Sequence, residues 1–214
     1  MVRRVGLWLL WIGFIVYSLF LAPPIQADIM RLRLWLAGNW TFPNPVVVAI
    51  FSLIGMWILI DSCVLFADGK MQSIPVWPFI TASLGTGVIG LIPYLALRQS
   101  NSTFSGSKDA WLRFFDSNRT GWLISISTLF FIGYGLAAGD WQGFACLWHT
   151  SRFVHVMSLA LCVFCLLFPT VLRDDMARRG LESDRLFWAV ALVPLFGPLV
   201  YLCTRPSIPE SEST

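Results

Sequence analysis

The chain is 214 residues long, with 15 Lys and Arg, 12 Asp and Glu, and a formal net charge of +3. It is 57% hydrophobic and only 13% charged, with a mean hydropathy of +0.70, where a soluble domain carries about 25% charged residues. That balance excludes an ordinary soluble domain, and without a basic patch interleaved with aromatics it excludes a nucleic-acid binder.

Six apolar blocks follow in chain order: Val5–Leu21, Val46–Ala67, Trp77–Leu97, Gly121–Gly139, Phe153–Leu172 and Leu186–Thr204. Each is long enough to cross a hydrocarbon core of about 30 Å as a helix. The expected fold is therefore all-α: a polytopic membrane bundle of about six transmembrane helices, with the lipid bilayer as its first partner. Residues 1–204 form one membrane domain and 205–214 a short polar tail. Tryptophans at block edges (Trp40, Trp77, Trp111, Trp122, Trp141, Trp148 and Trp188) suit the headgroup zone. The first block, with Arg3 and Arg4 before it and Ala22–Ala27 after it, has the outline of a signal peptide. Its length and the Ile at −3 favour a retained helix.

Six spans would place the odd-numbered loops on one side, with ten Lys and Arg against five on the other. The charge rule then puts both termini away from the cytoplasm. In the loop before the fourth block, Asp109, Arg113 and Asp116 share one arc of a helical wheel, opposite Trp111, Leu112, Phe114 and Phe115. This predicts a short interfacial helix with a wet docking face for another membrane protein. Further on, Asp174/Arg178 and Asp175/Arg179 are i,i+4 pairs, and Gly180 suits the position after a last helical turn. A solvated hairpin with the fifth helix ending at Arg179 is expected, its carboxylates offering a second docking or metal site.

Asp61 is the only charge well inside a block, and an acid at the bilayer centre costs about 2.5–3.5 kcal/mol on insertion scales. It is a candidate polar site, together with His155. His149 and His155 lie six residues apart, on different helix faces, so they do not predict a shared metal site; either offers a ligand to a pigment or haem. The five cysteines, an odd number set mostly inside apolar blocks, do not read as a disulfide framework. Cys162-x-x-Cys165 reads as packing inside a helix. No metalloprotease, nucleophile-elbow or phosphate-loop pattern occurs.

The third and sixth blocks are both interrupted: Gly85, Gly87, Gly90 and Pro93 in one, Pro194, Gly197 and Pro198 in the other. Both end in Gly-x-x-x-Tyr-Leu-x-x-Arg, through Tyr94 and Arg98 and through Tyr201 and Arg205. Two three-span halves would form an inverted repeat, and matching broken helices would mark a midplane transport site.

Leu186-Phe-Trp188 with Pro194-Leu-Phe-Gly197-Pro198-Leu-Val-Tyr201-Leu resembles the membrane segment preceding the catalytic domains of phospholipase-D-type cardiolipin synthases. Only about 20 residues are covered and the H-x-K domains are absent, so the resemblance implies a helix style and no activity. The stretch from Asn44-Pro45 through Pro75-Val-Trp77-Pro78-Phe79 to Pro93-Tyr94-Leu95-x-Leu-Arg98 resembles uncharacterised polytopic proteins of cyanobacteria and plastids, which implies a photosynthetic membrane as the address. The functional expectation is an accessory or assembly factor that binds partners, pigment or lipid. A small transporter using Asp61 and the broken blocks is the alternative, and a membrane enzyme acting on a lipid or isoprenoid the second.

Overall fold

A computed structural model describes residues 2–38 and 43–210; Trp40, among the expected edge tryptophans, and the last four residues of the expected tail lie outside them. Among the described residues the secondary structure is all helix. Eleven helices follow: α1 Val2–Leu21, α2 Gln26–Leu36, α3 Pro45–Gly69, α4 Trp77–Thr86, α5 Val88–Leu97, α6 Ala110–Asp116, α7 Asn118–Ala138, α8 Trp141–Thr150, α9 Arg152–Arg178, α10 Asp184–Ala191 and α11 Phe196–Thr204. Four of these, α1, α3, α7 and α9, are long and apolar enough to cross a membrane.

The third and sixth apolar blocks are not single helices. α4 and α5 have ten residues each, or about 15 Å, half a hydrocarbon core. Asp68 at the end of α3 takes two hydrogen bonds from Arg98 just after α5. The Gln72 side chain pairs with the backbone of Gln99. The chain thus enters α4 and leaves α5 at the same end of the bundle. Its two arms fold together: a Cβ on Gly90 would lie 2.6 Å from the backbone nitrogen of Ser83, seven residues away, a separation of about 10 Å along a straight helix. α10 and α11 repeat this. A Cβ on Gly197 would lie 2.2 Å from the Val190 carbonyl, and Arg205 after α11 returns to Asp175 near the end of α9. Both blocks are half-depth hairpins that enter and leave on one side.

From residue 44 onward the halves also match position by position. A shift of 107 carries Asp68 to Asp175, Ser83 to Val190, Gly90 to Gly197, Tyr94 to Tyr201 and Arg98 to Arg205. It carries Asn44, whose side chain caps α3, to Ser151, whose hydroxyl caps α9. Trp57 goes to Phe164, and these two rings stack on each other at 6.4 Å, as an axis between the halves requires. Each half is one long helix, a short helix, a second long helix and a hairpin. Two long helices per half, running end to end of the bundle, leave both halves pointing the same way, so the repeat is parallel and not inverted.

The end holding Asp68 and Asp175 is the charged end. The start of α1 lies there, with Arg3 Nη2 on the Arg98 carbonyl, and lower down Trp11 Nε1 donates to Ile89 O. α2 and α8 lie at the opposite end, where Asp28 accepts from the Phe153 N–H, Arg152 Nε donates to Pro23 O and Asn44 donates to Asp140 O. Residues 22–38 and the loop 98–117 therefore sit at opposite ends, which corrects the grouping of loops behind the ten-to-five count. α3 and α9 form the core, while α1 and α7 turn apolar faces outward, including Leu9, Ile12, Ile126 and Phe130. α7 approaches α3 closely where a Cβ on Gly135 would lie 2.8 Å from Ala49; Gly133 faces open space. Of the expected belt, Trp77, Trp111, Trp122, Trp141 and Trp188 are more than half exposed near helix ends, while Trp148 is half-buried against His155.

Candidate functional site: a half-depth cavity and a buried ion network

The hairpin α4–α5 stops about halfway through the bundle, where Gly87 comes within Cβ contact of Ala160. Beyond its tip a cavity of about 620 Å³ reaches to α2 at the opposite end. Phe14 of α1, Gly55 and Ile58 of α3, and Met157 and Ala160 of α9 form its walls, and residues 83–87 its floor. Small residues create the space: Gly85 and Gly87 stand where the second half has Leu192 and Pro194. Gly87 takes φ +60, which a residue without Cβ adopts freely. The second hairpin puts Leu195 at φ +68 instead.

Polar groups gather at the outer rim. Asp28 accepts from the Ser151 hydroxyl and the Phe153 N–H, and Arg152 donates to Pro23 O. The hydroxyls of Ser18, Ser83 and Thr86 each donate to a carbonyl of their own helix. The walls therefore offer hydrocarbon contact, with charge only at the rim.

The charged end holds the second assembly. Asp68 receives Arg98 Nε at 2.8 Å and Nη2 at 2.6 Å, the Tyr94 hydroxyl at 2.7 Å and Arg178 Nη1 at 2.9 Å. Asp175 receives Arg179 Nε at 2.8 Å, the Tyr201 hydroxyl at 2.7 Å and Arg205 Nη1 at 3.3 Å. The tyrosine lies 26 residues, and the arginine 30, beyond its aspartate in both halves. Arg98 also binds Asp174, and Asp116 binds Lys108 and Arg179. Burial works against the charge on Arg179, but Asp175 and Asp116 beside it outweigh that and hold the guanidinium above its ordinary range.

Several sequence expectations change here. Tyr94 and Tyr201 close the charged end and line no midplane site. Pro93 sits inside α5 without ending it, Pro194 lies in the second tip, and Pro198 in the first turn of α11. Asp116 leaves the expected docking face: it is buried on Lys108 and Arg179, because α6 packs against α3. Asp109 stays out as the α6 cap, its carboxyl held below the usual range by the Lys70 ammonium and the Leu112 N–H. Arg113 is exposed too, 4.0 Å from Glu210. The Asp174/Arg178 pair does not form, since both residues reach across to Arg98 and Asp68; Asp175/Arg179 does. Asp175, Arg178 and Arg179 are buried, not solvated, and arginines occupy the carboxylates of Asp174 and Asp175, two of those expected to dock a partner or hold a metal, while Arg173, Glu182, Asp184 and Arg185 stay exposed. The helix ends at Arg178, with Gly180 at φ +70. The expected tail begins inside the bundle: Arg205 is buried, and the Ile208 N–H donates to Asp116.

Both ring nitrogens of His155 are occupied, by the Tyr17 hydroxyl at 2.8 Å and Trp148 O at 2.9 Å, which leaves neither free for the expected pigment or haem. His149 is exposed at the end of α8. Asp61 is buried on α3, with Oδ2 unpartnered among the described residues and the Trp57 N–H, one turn earlier, unpartnered as well. It stands apart from the cavity wall and from the ion network. Asp68, Arg98, Asp174 and Arg178 were missed as a group; the shared 107-residue shift of Asp, Tyr and Arg was the signal available. No protein-family model, no curated protein and no solved structure matches this chain.

Proposed function

We propose that this chain is a membrane-embedded binding protein whose cavity takes one hydrocarbon chain of a membrane lipid, with the lipid's polar head at the Asp28–Arg152 rim. The supporting observation is the cavity's position. A hairpin that stops at half depth leaves the other half of its column open between α1, α3 and α9, and within a bilayer the matching filler is an acyl or isoprenoid chain. Its volume lies within the range of small-molecule sites, about 300–1,000 Å³. Binding is favoured over catalysis because the hydroxyls on the wall already donate within their own helices. It is favoured over transport because Asp61 does not face this space.

Positive charge supports an orientation. Arg3, Arg4, Lys70, Arg98, Lys108, Arg113, Arg119, Arg173, Arg178, Arg179, Arg185 and Arg205 lie at the charged end, against Arg31, Arg33 and Arg152 at the other. By the charge rule the charged end faces the cytoplasm or its organellar equivalent, the reverse of the six-span expectation for both termini. The lipid site then opens towards the other leaflet. The photosynthetic address rests on the sequence resemblance alone and forms no part of this proposal.

The test is lipid retained through purification. Cβ positions on Gly55 and Gly85 meet open space, so Gly55→Leu with Gly85→Leu fills the cavity without a backbone clash. Mass spectrometry of organic extracts should find a lipid enriched with the wild type and depleted at least several-fold with the filled variant. Equal lipid in both preparations would refute the assignment.

A further inference from the structure

The charges at the charged end do not cancel. The carboxylates of Asp68, Asp116, Asp174 and Asp175 face Arg98, Lys108, Arg178, Arg179 and Arg205. One positive charge is left over, and Arg3 adds another at the edge. Arg179 uses all three of its nitrogens. Arg178 does not. It holds Asp68 through Nη1 alone, while Nε and Nη2 are buried and have no partner among the described residues. Arg98 Nη1 and Arg205 Nε are buried and unpartnered as well. The Nε–Nη2 edge is one of the forks by which a guanidinium grips an acceptor. Burying it unfilled leaves donors unmatched and a charge uncompensated, and each carries a desolvation penalty.

We propose that a small inorganic monoanion, of chloride's charge and size, binds at the Nε–Nη2 edge of Arg178, beside Arg98, which shares the carboxylate of Asp68. The anion supplies what the protein lacks there: acceptors for two N–H groups and one negative charge. A water molecule would supply an acceptor and no charge. A dianion would overshoot the single excess charge of the buried groups, Arg3 lying only part-buried at the edge, and would lose more hydration on entering a place where the Arg178 side chain has 0% exposure. Since Arg178 belongs to the second half and Asp68 to the first, the anion strengthens the clamp between the halves.

The experiment uses the full chain in detergent, dialysed into sodium gluconate and titrated with sodium chloride at constant ionic strength. Equilibrium dialysis with radioactive chloride should find saturable binding that bromide displaces and gluconate does not. The melting temperature should rise over the same concentration range. Arg178→Met should lose both responses. Because removing a buried charge can itself unfold that variant, the wild-type binding measurement is decisive on its own. The proposal falls if the wild type shows no saturable chloride binding, which would leave these donors to water only, or if phosphate binds and chloride does not.

Discussion

The two hairpins have the same frame and different tips. Each leaves the charged end beside an aspartate, turns at half depth and returns through a glycine packed on the opposite arm to a tyrosine and an arginine bonded to that aspartate. The first turns through Gly85-Thr-Gly87 and opens onto a cavity; the second turns through Leu192-Val-Pro194, with Leu195 in a left-handed conformation. What is common holds the fold: the charged bases and the glycine crossings. What differs is confined to a few tip residues, and there one half carries a site. A repeated scaffold with one altered turn places a single cavity in the bundle without disturbing its base.

If the second hairpin is built like the first, it must return to the side it left. Single cysteines at Ser183 and Ser207, in a cysteine-free background, flank the second hairpin, and both positions are exposed. An impermeant thiol reagent should label both from one face of the membrane. Labelling from opposite faces would mean that residues 184–204 cross, and the parallel repeat would be lost.

Next in size is the loss of a base. Asp68→Asn and Asp175→Asn each leave buried arginines facing a neutral group, and breaking a buried pair costs about 3–5 kcal/mol. Thermal unfolding in detergent should show both variants strongly destabilised. A mild effect at one base only would show that the matched networks do unequal structural work. The glycine crossings come third. Gly90→Ala and Gly197→Ala push a methyl into backbone atoms, at about 1–3 kcal/mol each. Gly85→Leu in the open tip should cost little, so a crossing variant as stable as Gly85→Leu would mean that the arms are not packed as described. The smallest effect separates the halves. Gly180 ends α9 at φ +70, and the 107-residue shift pairs it with Ser73, which has no such backbone angle. Gly180→Val should therefore lower stability by about 1–2 kcal/mol. An unchanged melting temperature would remove Gly180 as a cap.

Much of the fold was legible in the sequence. Helical membrane character followed from the apolar blocks, and the stop at Gly180 from a charged run followed by glycine. The hairpins were not, because a hydropathy window sees a run of apolar residues and not a reversal in its middle; Gly85 and Gly87 were visible but read as interruptions of a crossing helix. The ion network was misread for a related reason. Charges in short loops are normally solvated, and only the packing of α6, the α5 terminus and residues 205–208 around Asp68 and Asp175 takes them out of water. The cavity left no local motif, since it depends on residues 14 to 160 meeting at one depth.

The bond from Arg178 to Asp68 spans 110 residues, and it also sets an order in time. A chain made from its N-terminus exposes the first hairpin to the membrane with Asp68 answered only by Arg98 and Tyr94. Asp174 and Arg178 emerge long afterwards, so the first half waits for the second to seal its base, and the cavity it carries gains its last wall only when Met157 and Ala160 of α9 arrive.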